Sequence, residues 1–506
     1  MPVAPRMPWC IELVTSFVFY KDGVIVAQPP DVLFIRDTNG DGKGDKVEKL
    51  FTNLGNRDTH AVLNNLRWGF DGWIYGTHGY SGTSSVKSGD GSKDFGGCGS
   101  GVVRFKPDGS AFEQYSSKGG NTWGLQIAWD NEVFWTQPTS GSLVMHTVMA
   151  ESLLAKAGVK GLASFSVVRP SPKSYPLIPY DSLPYVQIDW VGSFTAAAGC
   201  VIYDGGTWPA KWNYSYFTTE PTINLLHHEF VKSTGVSYAG EKEAPREELE
   251  FIAGRNLWFR PIEVRTGPDG AMYVVDFCNQ AIIHNDTRGP QHSKSGASVR
   301  PDREHYFGRI YRIQHDSAPK LAIPDLSKAD VAGLVAAFSH PNKVVRFNAL
   351  RVLMEREPGL LASAVGPLAT LVRSDARPEA RILALWALQR LDRLEDGRDR
   401  ILDRQPVEIL GDIDAKGDQH AIPHSESLEG PRAVLVIESL IGALDAESPI
   451  DRLGTGRISP VLRRHLGLHQ QRLVRTGSNL DSPGHGRGFH RELPSDHRIL
   501  GGDLEG

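Results

Sequence analysis

The segment Leu66–His78, with the sequence LRWGFDGWIYGTH, has two short runs of aliphatic and aromatic residues on either side of an Asp-Gly turn. Such runs are typical of β-strands, and Asp-Gly between them favours a tight hairpin. Four other segments, 16–28, 125–137, 200–220 and 262–276, repeat the theme of strand, polar turn and aromatic-rich strand. The turn aspartates are separated by 49, 59, 74 and 65 residues and are Asp22, Asp71, Asp130, Asp204 and Asp269.

Repeats of this length, each with several strands, are the signature of propeller blades. The sequence therefore predicts a mainly β fold, with a β-propeller over residues 12–316 inside a domain that spans 1–320. Five repeats are visible and the first begins close to residue 1, so we expect a six-bladed type that lacks the sequence of an N-terminal blade. A β-sandwich or barrel is the alternative, although its strands would not show this self-similar hairpin pattern.

A helical period replaces the strand pattern after residue 320. Arg346, Ala349, Leu350 and Leu353 recur 35 positions later as Arg381, Ala384, Leu385 and Leu388, which predicts helical repeats of HEAT type over 325–395. Residues 396–506 contain no Trp, Tyr, Cys or Met. We expect this irregular C-terminal tail to be a disordered extension or an out-of-frame translation.

Charge and hydropathy exclude several classes of partner. The 55 Lys and Arg residues against 59 Asp and Glu residues give a net charge of −4, which does not favour nucleic acid. No apolar run reaches the roughly 18 residues of a membrane helix, and no signal peptide is visible at the start. The four cysteines form no C-x-x-C pair, which argues against a cysteine zinc site or an attached c-type haem.

The stretch DTNGDGKGDKVE, residues 37–48, has the spacing of a calcium-binding loop. Calcium prefers six to eight hard oxygen ligands, and a glycine at the sixth position, Gly42, permits the sharp bend. The flanking residues read as strands, so we expect a hairpin loop and not an EF-hand, with a structural role. The predicted metal ligands are Asp37, Asn39, Asp41, Lys43, Asp45 and Glu48.

In each of four repeats, one residue upstream of the first strand is expected to face the central funnel. Alignment on the turns gives His60, Asn121, Thr195 and Arg260, of which Thr195 suits packing. His60 would act as general base and Asp58, two residues earlier, would orient it. Arg260 would hold a carboxylate. Each residue also has a non-functional alternative: His60 would be a histidine hydrogen-bonded within a turn, Asn121 a turn amide, and Arg260 a member of a surface ion pair.

Two further polar stretches bear on function. The loop HNDTRGPQHSKSGASVRPDREH, residues 284–305, contains several cations including Arg300 and would suit an anionic cofactor or a solvated blade connection. The tripeptide His227–Glu229 lacks the spacing of a metal site, so we predict a strand whose faces alternate between core and solvent.

These motifs, taken together, carry a family resemblance. DVLFIRDTNGDGKGDKVEKLF, RDTHAVLNNLRWGFDGWIYG, FRPIEVRTGPDGAMYVVDFCN and GRIYRI resemble the propeller of the planctomycete-type membrane-bound dehydrogenase family, which is related to quinoprotein glucose and sorbosone dehydrogenases. The resemblance covers residues 12–316, and HEAT repeats follow in many members. It implies a propeller enzyme that is exported or periplasmic.

The resemblance also implies a cofactor and roles for residues. Pyrroloquinoline quinone (PQQ) would lie in the funnel, His60 would match the base that takes the proton of a sugar hydroxyl, and Asn121 would match an asparagine that contacts the cofactor. The arginine that usually precedes this asparagine is here Gly120, so the carboxylates of the quinone would need Arg260 or Arg300. The chain lacks the haem-attachment motif of many members, which implies a separate cytochrome c as electron acceptor.

The sequence thus predicts a PQQ-dependent dehydrogenase of a sugar or related alcohol that binds calcium. Two alternatives remain: a non-catalytic carbohydrate- or protein-binding scaffold in which propeller and HEAT repeats form one surface, and a calcium-dependent lactonase. A protein partner on the HEAT repeats is compatible with each of these.

Overall fold

Short antiparallel strands dominate the computed structural model of the protein, which describes residues 14–58, 60–138, 142–170, 172–183, 191–280, 282 and 306–394. In chain order the strands are β1 (Ser16–Tyr20), β2 (Gly23–Gln28), β3 (Asp31–Arg36), β4 (Lys46–Thr52), β5 (Asn64–Trp68), β6 (Ile74–His78), β7 (Lys87–Ser88), β8 (Gly101–Phe105), β9 (Phe112–Ser117), β10 (Leu125–Ile127), β11 (Val133–Thr136), β12 (Ser142–Thr147), β13 (Phe165–Pro170), β14 (Cys200–Ile202), β15 (Ser215–Glu220), β16 (Leu225–Thr234), β17 (Ser237–Glu241), β18 (Ile252–Ala253), β19 (Pro261–Thr266), β20 (Met272–Asp276) and β21 (Arg309–Ile313).

The strands form five separate sheets, one for each sequence repeat. Their orders are β1-β2-β3-β4-β7, β5-β6-β8-β9, β10-β11-β12-β13, β14-β15-β16-β17 with β18 beside β16, and β19-β20-β21. The first strands of successive sheets contact one another, β1 with β5, β5 with β10, β10 with β14 and β14 with β19. Sheets that meet along their first strands have the radial arrangement of a propeller.

The turn aspartates of two repeats, Asp71 and Asp269, make the same pair of contacts. Asp71 accepts hydrogen bonds from the main-chain N–H of Trp73 (3.1 Å) and the hydroxyl of Tyr75 (2.7 Å). Asp269 makes the same pair of contacts, with the N–H of Ala271 (3.1 Å) and the hydroxyl of Tyr273 (3.0 Å). Each aspartate therefore fixes its turn and ties it to the second strand.

Five α-helices accompany the sheets in the described part of the chain: α1 (Glu151–Lys156), α2 (Val331–Ala336), α3 (Lys343–Met354), α4 (Pro358–Arg373) and α5 (Pro378–Arg390). Short 3₁₀ turns lie at Tyr180–Ser182, Ala210–Trp212 and Ala337–Ser339. Helices α2 to α5 share one apolar core that includes Leu350, Leu368 and Trp386, together with Phe70 from the β5–β6 turn. The helical segment thus packs directly on a sheet turn.

Helix α3 covers the downstream ends of the first strands of the sheets. Its N-cap residue Asn342 donates from Nδ2 to the carbonyls of Gly205 (3.0 Å) and Gly267 (2.8 Å), which follow β14 and β19. The N–H of Lys343 donates to Asp204 O (3.1 Å), and the ring of Phe347 stacks on Phe70 with 5.4 Å between centroids. One end of the propeller is therefore closed by a helix.

The structure confirms a mainly β, propeller-like arrangement, and its described residues form five sheets. The six-bladed type and the HEAT type of the helices remain predictions, although α3 and α5 lie within the segment 325–395 that was predicted to be helical.

By contact density the chain divides into Met1–Ala446 and Glu447–Gly506, and the second unit lies outside the described residues, as does the whole predicted tail 396–506. None of the described helices is both long and apolar enough to cross a lipid bilayer.

Candidate functional site

The residues predicted to converge lie at the end of the propeller opposite α3. The downstream ends of all five first strands meet beneath this helix and line one cavity with it. His60, Asn121, Thr195 and Arg260 each precede the first strand of a sheet, namely β5, β10, β14 and β19. Since the first strands lie side by side, their upstream ends gather at the other end of the ring.

His60 and Asp58 form a hydrogen-bonded pair at this end of the propeller. The Nδ1 atom of His60 lies 3.3 Å from Asp58 Oδ1, and the main-chain N–H of His60 donates to the same oxygen at 2.9 Å. The hydroxyl of Tyr80 donates to Asp58 Oδ2. The side chain of His60 is 38% exposed, whereas that of Asp58 is 11% exposed. Asp58 is thus a buried anchor that orients an accessible imidazole.

Ser81 holds the main chain of the same corner. The N–H of Asp58 donates to Ser81 Oγ (2.8 Å), and Ser81 Oγ–H donates to Asp58 O (3.0 Å). Sequence reasoning missed both Tyr80 and Ser81. They directly follow β6, the second strand of the hairpin, which returns to the end where His60 lies, so the hairpin pattern itself contained the signal.

Asn121 lies beside this corner. Its Oδ1 atom is buried and has no hydrogen-bond partner within the described part of the chain. A Cβ added to Gly79 would collide with that oxygen and would stand 2.6 Å from the Cα of Ala61, the residue after His60. A buried acceptor without a donor is unfavourable by about 1–3 kcal/mol, which favours a ligand that brings an O–H or N–H group to Asn121.

We expect Gly79→Ala to disturb both halves of this corner. The new methyl group would push against a backbone atom of Ala61 and against the amide of Asn121, and overpacking of this kind costs about 1–3 kcal/mol. Urea unfolding measures the loss. Gly99→Ala is the matched control, because nothing lies within 4 Å of a Cβ added there; equal midpoints for the two variants would contradict the close approach at Gly79.

Arg260 has a different environment from the one predicted. Its side chain is fully buried, and it donates to the carbonyl oxygens of Asn279 (3.2 Å), Pro221 (3.0 Å), Thr222 (3.1 Å) and Gln280 (3.2 Å). Burial lowers the pKa of Arg260 to about 10. These contacts favour a structural role, in which the guanidinium joins the loops of two sheets, over the predicted contact with a carboxylate ligand.

Thr195 is buried and its surroundings suit packing. The main-chain N–H groups of Thr195 (3.1 Å) and Ala196 (2.8 Å) donate to Glu220 Oε2, and the N–H of Thr222 (3.1 Å) donates to the other carboxylate oxygen. Burial raises the pKa of Glu220 above its usual value, against the lowering effect of these donors. The carboxylate therefore organises the loop before β14.

The position that is arginine in the resembled family has a backbone conformation that favours glycine here, and Gln137 occupies the adjacent space. Gly120 has a φ of +114°, and a Cβ at this residue would collide with Nε2 of Gln137. That amide donates to Gly119 O at 2.6 Å, so Gln137 fills the space. Arg57, in contrast, lies at the His60 corner and donates to Tyr80 O (3.2 Å).

These residues fit only part of PQQ. Asn121 offers an amide and Arg57 offers one cation. The quinone has more than one carboxylate, and each needs a cationic donor. Neither Gly120 nor Arg260, which is already engaged by carbonyl groups, supplies a further one. Arg300, the remaining predicted contact, lies outside the described residues, as does all of 283–305. The described residues thus fit a hydroxyl-bearing substrate better than they fit the anionic groups of the quinone.

The predicted calcium loop joins β3 to β4, as expected for a hairpin. The side-chain oxygens of Asp37 accept from the N–H groups of Gly40 (2.7 Å) and Gly42 (2.8 Å), and those of Asn39 and Asp41 accept from Asp41 N and Lys43 N. Hydrogen bonds from Thr38 lower the pKa of Asp45. Among the described residues no group of three or more His, Cys, Asp or Glu is placed to hold a metal.

The prediction for His227–Glu229 was wrong about burial. All three residues are buried in β16, because both faces of this strand are covered. His227 lies 2.7 Å from Glu250 and 3.2 Å from Glu229, while Arg169 (3.2 Å) contacts Glu229 and Lys242 (3.0 Å) contacts Glu250. These contacts give partners to His227 and to Oε1 of Glu229, whereas Oε2 of Glu229 and Nε2 of His228 are buried with no hydrogen-bond partner in the described part of the chain.

Comparison with known proteins identifies a family for the chain. Residues 10–317 match the family described as "Domain of unknown function (DUF7133)", and the chain belongs to this family. No curated protein matches the sequence.

Several solved structures are similar at low identity. The PQQ-bound aldose sugar dehydrogenase from Streptomyces coelicolor has 15% identity and a TM-score of 0.33, covering 58% of this chain and 75% of that one. A putative oxidoreductase (glucose dehydrogenase) from Thermus thermophilus has 12% identity and a TM-score of 0.26, with 60% and 97% covered. A putative gluconolactonase has 10% identity and a TM-score of 0.28, with 52% and 71% covered. At these scores the likenesses support no activity for this chain.

Proposed function

We propose that this member of the DUF7133 family oxidises a sugar or related alcohol at the end of its propeller opposite α3, with His60 as general base. The observation that carries the proposal is the arrangement of an exposed imidazole on a buried carboxylate, itself held by Tyr80. When Nδ1–H of His60 donates to Asp58, the imidazole is held in the tautomer whose Nε2 is the basic nitrogen, which is the form that a general base requires.

The neighbouring groups suit a substrate with several hydroxyls. The unpartnered Oδ1 of Asn121 would accept a hydrogen bond from one hydroxyl while His60 takes the proton of another. Gly79 keeps the space between them free of a side chain. Removal of the hydroxyl proton by His60 would activate the alcohol for oxidation by a bound two-electron acceptor, so the base and the amide together account for binding and activation of an alcohol.

The hydride acceptor proposed is PQQ, as the family resemblance implies. When bound, the quinone would supply a two-electron acceptor, and a separate cytochrome c would carry the electrons onward. Asn121 and Arg57 are the described residues that would contact it. Export to the periplasm, and a protein partner on the helical segment, belong to the same proposal.

The test is reconstitution of the full chain with PQQ and calcium, followed by reduction of an artificial dye with a panel of aldoses and simple alcohols. We expect PQQ to bind saturably, to raise the melting temperature, and to support dye reduction that depends on the sugar. A folded protein that binds no PQQ would overturn the proposed PQQ-dependent dehydrogenase activity.

A non-catalytic binding scaffold is the second candidate, and a specific observation favours it. Gln137 fills the space at Gly120 and main-chain carbonyls engage Arg260, which removes two cations expected of a quinone site. The scaffold predicts that a sugar is retained without any dye reduction, and that His60→Ala leaves this retention unchanged.

Calcium binding at residues 37–48 is part of the proposal, with a structural role. Millimolar Ca²⁺ is expected to raise the melting temperature saturably, and Mg²⁺ much less, because the loop offers flexible oxygen ligands. Asp41→Asn should weaken the effect, since the amide keeps the hydrogen bond to Lys43 N but loses the charge. Asp90→Asn, in an exposed turn elsewhere, is the control and should leave it unchanged. Equal Ca²⁺ responses of both variants would show that calcium does not bind at this loop.

A further inference from the structure

A cavity of about 440 Å³ lies at the closed end of the propeller, away from His60. The downstream ends of β1, β5, β10, β14 and β19 form its walls, and α3 contributes the remaining side. Its volume falls within the range of roughly 300–1,000 Å³ that is common for small-molecule sites. The residues predicted from the sequence to act in chemistry lie at the other end of the same strands.

The charged groups around this cavity are predominantly cationic. Its lining includes Arg67, Arg265, Lys343 and Arg351, against the single carboxylate Asp204 among its described lining residues. Glu263 accepts from Arg67 (3.4 Å) and Arg265 (2.5 Å), while Glu355 accepts from Arg351 (3.1 Å). Arg346, outside the lining, pairs with Asp204 at 3.3 Å, so four cationic side chains and one carboxylate remain as the charged groups of the described lining itself.

The protein does not satisfy all of these cationic donors itself. Arg67 Nε and Arg265 Nη1 are buried and have no hydrogen-bond acceptor in the described part of the chain. Burial also raises the pKa of Glu263 to about 7 despite Arg67, and lowers the pKa of Lys343 to about 8 despite Asp204. A buried cation without a full set of acceptors is unfavourable, and an anion in the cavity would reduce that penalty.

Aromatic rings supply a large part of the remaining lining. Phe70 and Phe347 stack on one side, Trp68 stands at the end of β5, and Phe17 and Phe19 pack edge to face with 5.8 Å between centroids. Phe17 and Phe19 are 55% and 61% exposed. Large exposed aromatic groups beside a cationic wall suit a ligand that has an apolar ring and one anionic group.

We infer that the cavity between the first strands and α3 is a second ligand site, which takes a small aromatic carboxylate. The carboxylate would lie against Arg67, Arg265 and Lys343, and the ring would lie among Trp68, Phe70 and Phe347. The site is independent of the proposed oxidation, because it occupies the opposite end of the propeller.

The test uses the full chain and the fluorescent probe 2-naphthoate, with 2-naphthalenemethanol as the neutral analogue and inorganic phosphate as the anion without a ring. We expect saturable 1:1 binding of 2-naphthoate, binding at least about tenfold weaker for each of the other two, and weakening with added salt. Phosphate that binds as tightly as 2-naphthoate, or no binding of 2-naphthoate, would overturn the inference.

Two variants locate the ligand. Arg265→Gln should weaken 2-naphthoate about tenfold or more, and Asn348→Trp, which adds a ring on the α3 side of the lining, should remove binding without removing a charge. Arg312→Gln is the matched control, since Arg312 lies on the third strand of the same sheet and pairs with Asp269. His60→Ala should also leave binding within about twofold, even where it abolishes oxidation. Folded Arg265→Gln and Asn348→Trp proteins that bind like the unaltered chain would place the ligand elsewhere.

Discussion

His60→Gln is expected to lower kcat/KM for sugar oxidation by roughly 10²–10⁴-fold, the contribution usual for a general base. The amide keeps a hydrogen-bonding group near Asp58 but cannot accept the substrate proton at neutral pH. The side chain is partly exposed, so the unfolding midpoint and the binding of PQQ should change little. Dye reduction across a panel of sugars measures the effect.

Variants of the supporting residues separate chemistry from positioning. Asp58→Asn should lower kcat and shift the pH profile, because the carboxylate fixes the tautomer and orientation of the imidazole. Tyr80→Phe removes one hydrogen bond to Asp58 and should have a smaller effect in the same direction. A His60→Gln protein that retains activity within threefold would show that this histidine is not the base, whatever the state of the cofactor.

The hairpin repeats made the arrangement of the sheets predictable from the sequence. Asp71 and Asp269 each accept a hydrogen bond from a tyrosine four residues later, so this local interaction recurs in two of the repeats. The same alignment placed His60 and Asn121 at one end of the ring, because residues that precede equivalent strands occupy equivalent places.

Burial could not be predicted in the same way. Arg260 precedes β19 just as Asn121 precedes β10, yet its guanidinium turns into the protein and binds four carbonyl groups. Those carbonyls belong to residues 221, 222, 279 and 280, which are brought together only by the tertiary fold. His227 and Glu229 are similar, since their partners Glu250 and Arg169 are distant in sequence.

The docking of the helices was also beyond the sequence pattern. An apolar stripe on α3 predicts that the helix packs on something, but it does not identify the surface. The specifying contacts are polar and come from Asn342, which reads as an ordinary N-cap residue in the sequence. In the structure this side chain has two functions, and its substitution separates them.

Asn342→Asp is expected to lower the free energy of unfolding by about 2–4 kcal/mol, although aspartate and asparagine are equally good N-caps. The Oδ1 atom of Asn342 accepts from Val344 N (2.8 Å) and Val345 N (3.2 Å), and a carboxylate preserves this cap. Its Nδ2 group donates to Gly205 O and Gly267 O, and a carboxylate would put a buried negative charge against both carbonyls.

A matched substitution isolates this loss. Asp330 is the N-cap of α2, where its carboxylate accepts from Gly333 N (2.7 Å), so Asp330→Asn keeps the cap and should change stability by less than about 0.5 kcal/mol. The defect of Asn342→Asp should shrink as the pH falls below the carboxyl's pKa, because a protonated carboxyl regains one donor for the two carbonyls. Urea unfolding at several pH values measures both effects. If the two variants were equally stable at neutral pH, the Asn342 amide would not hold α3 on the propeller, and apolar packing around Phe70 and Phe347 would have to do so alone.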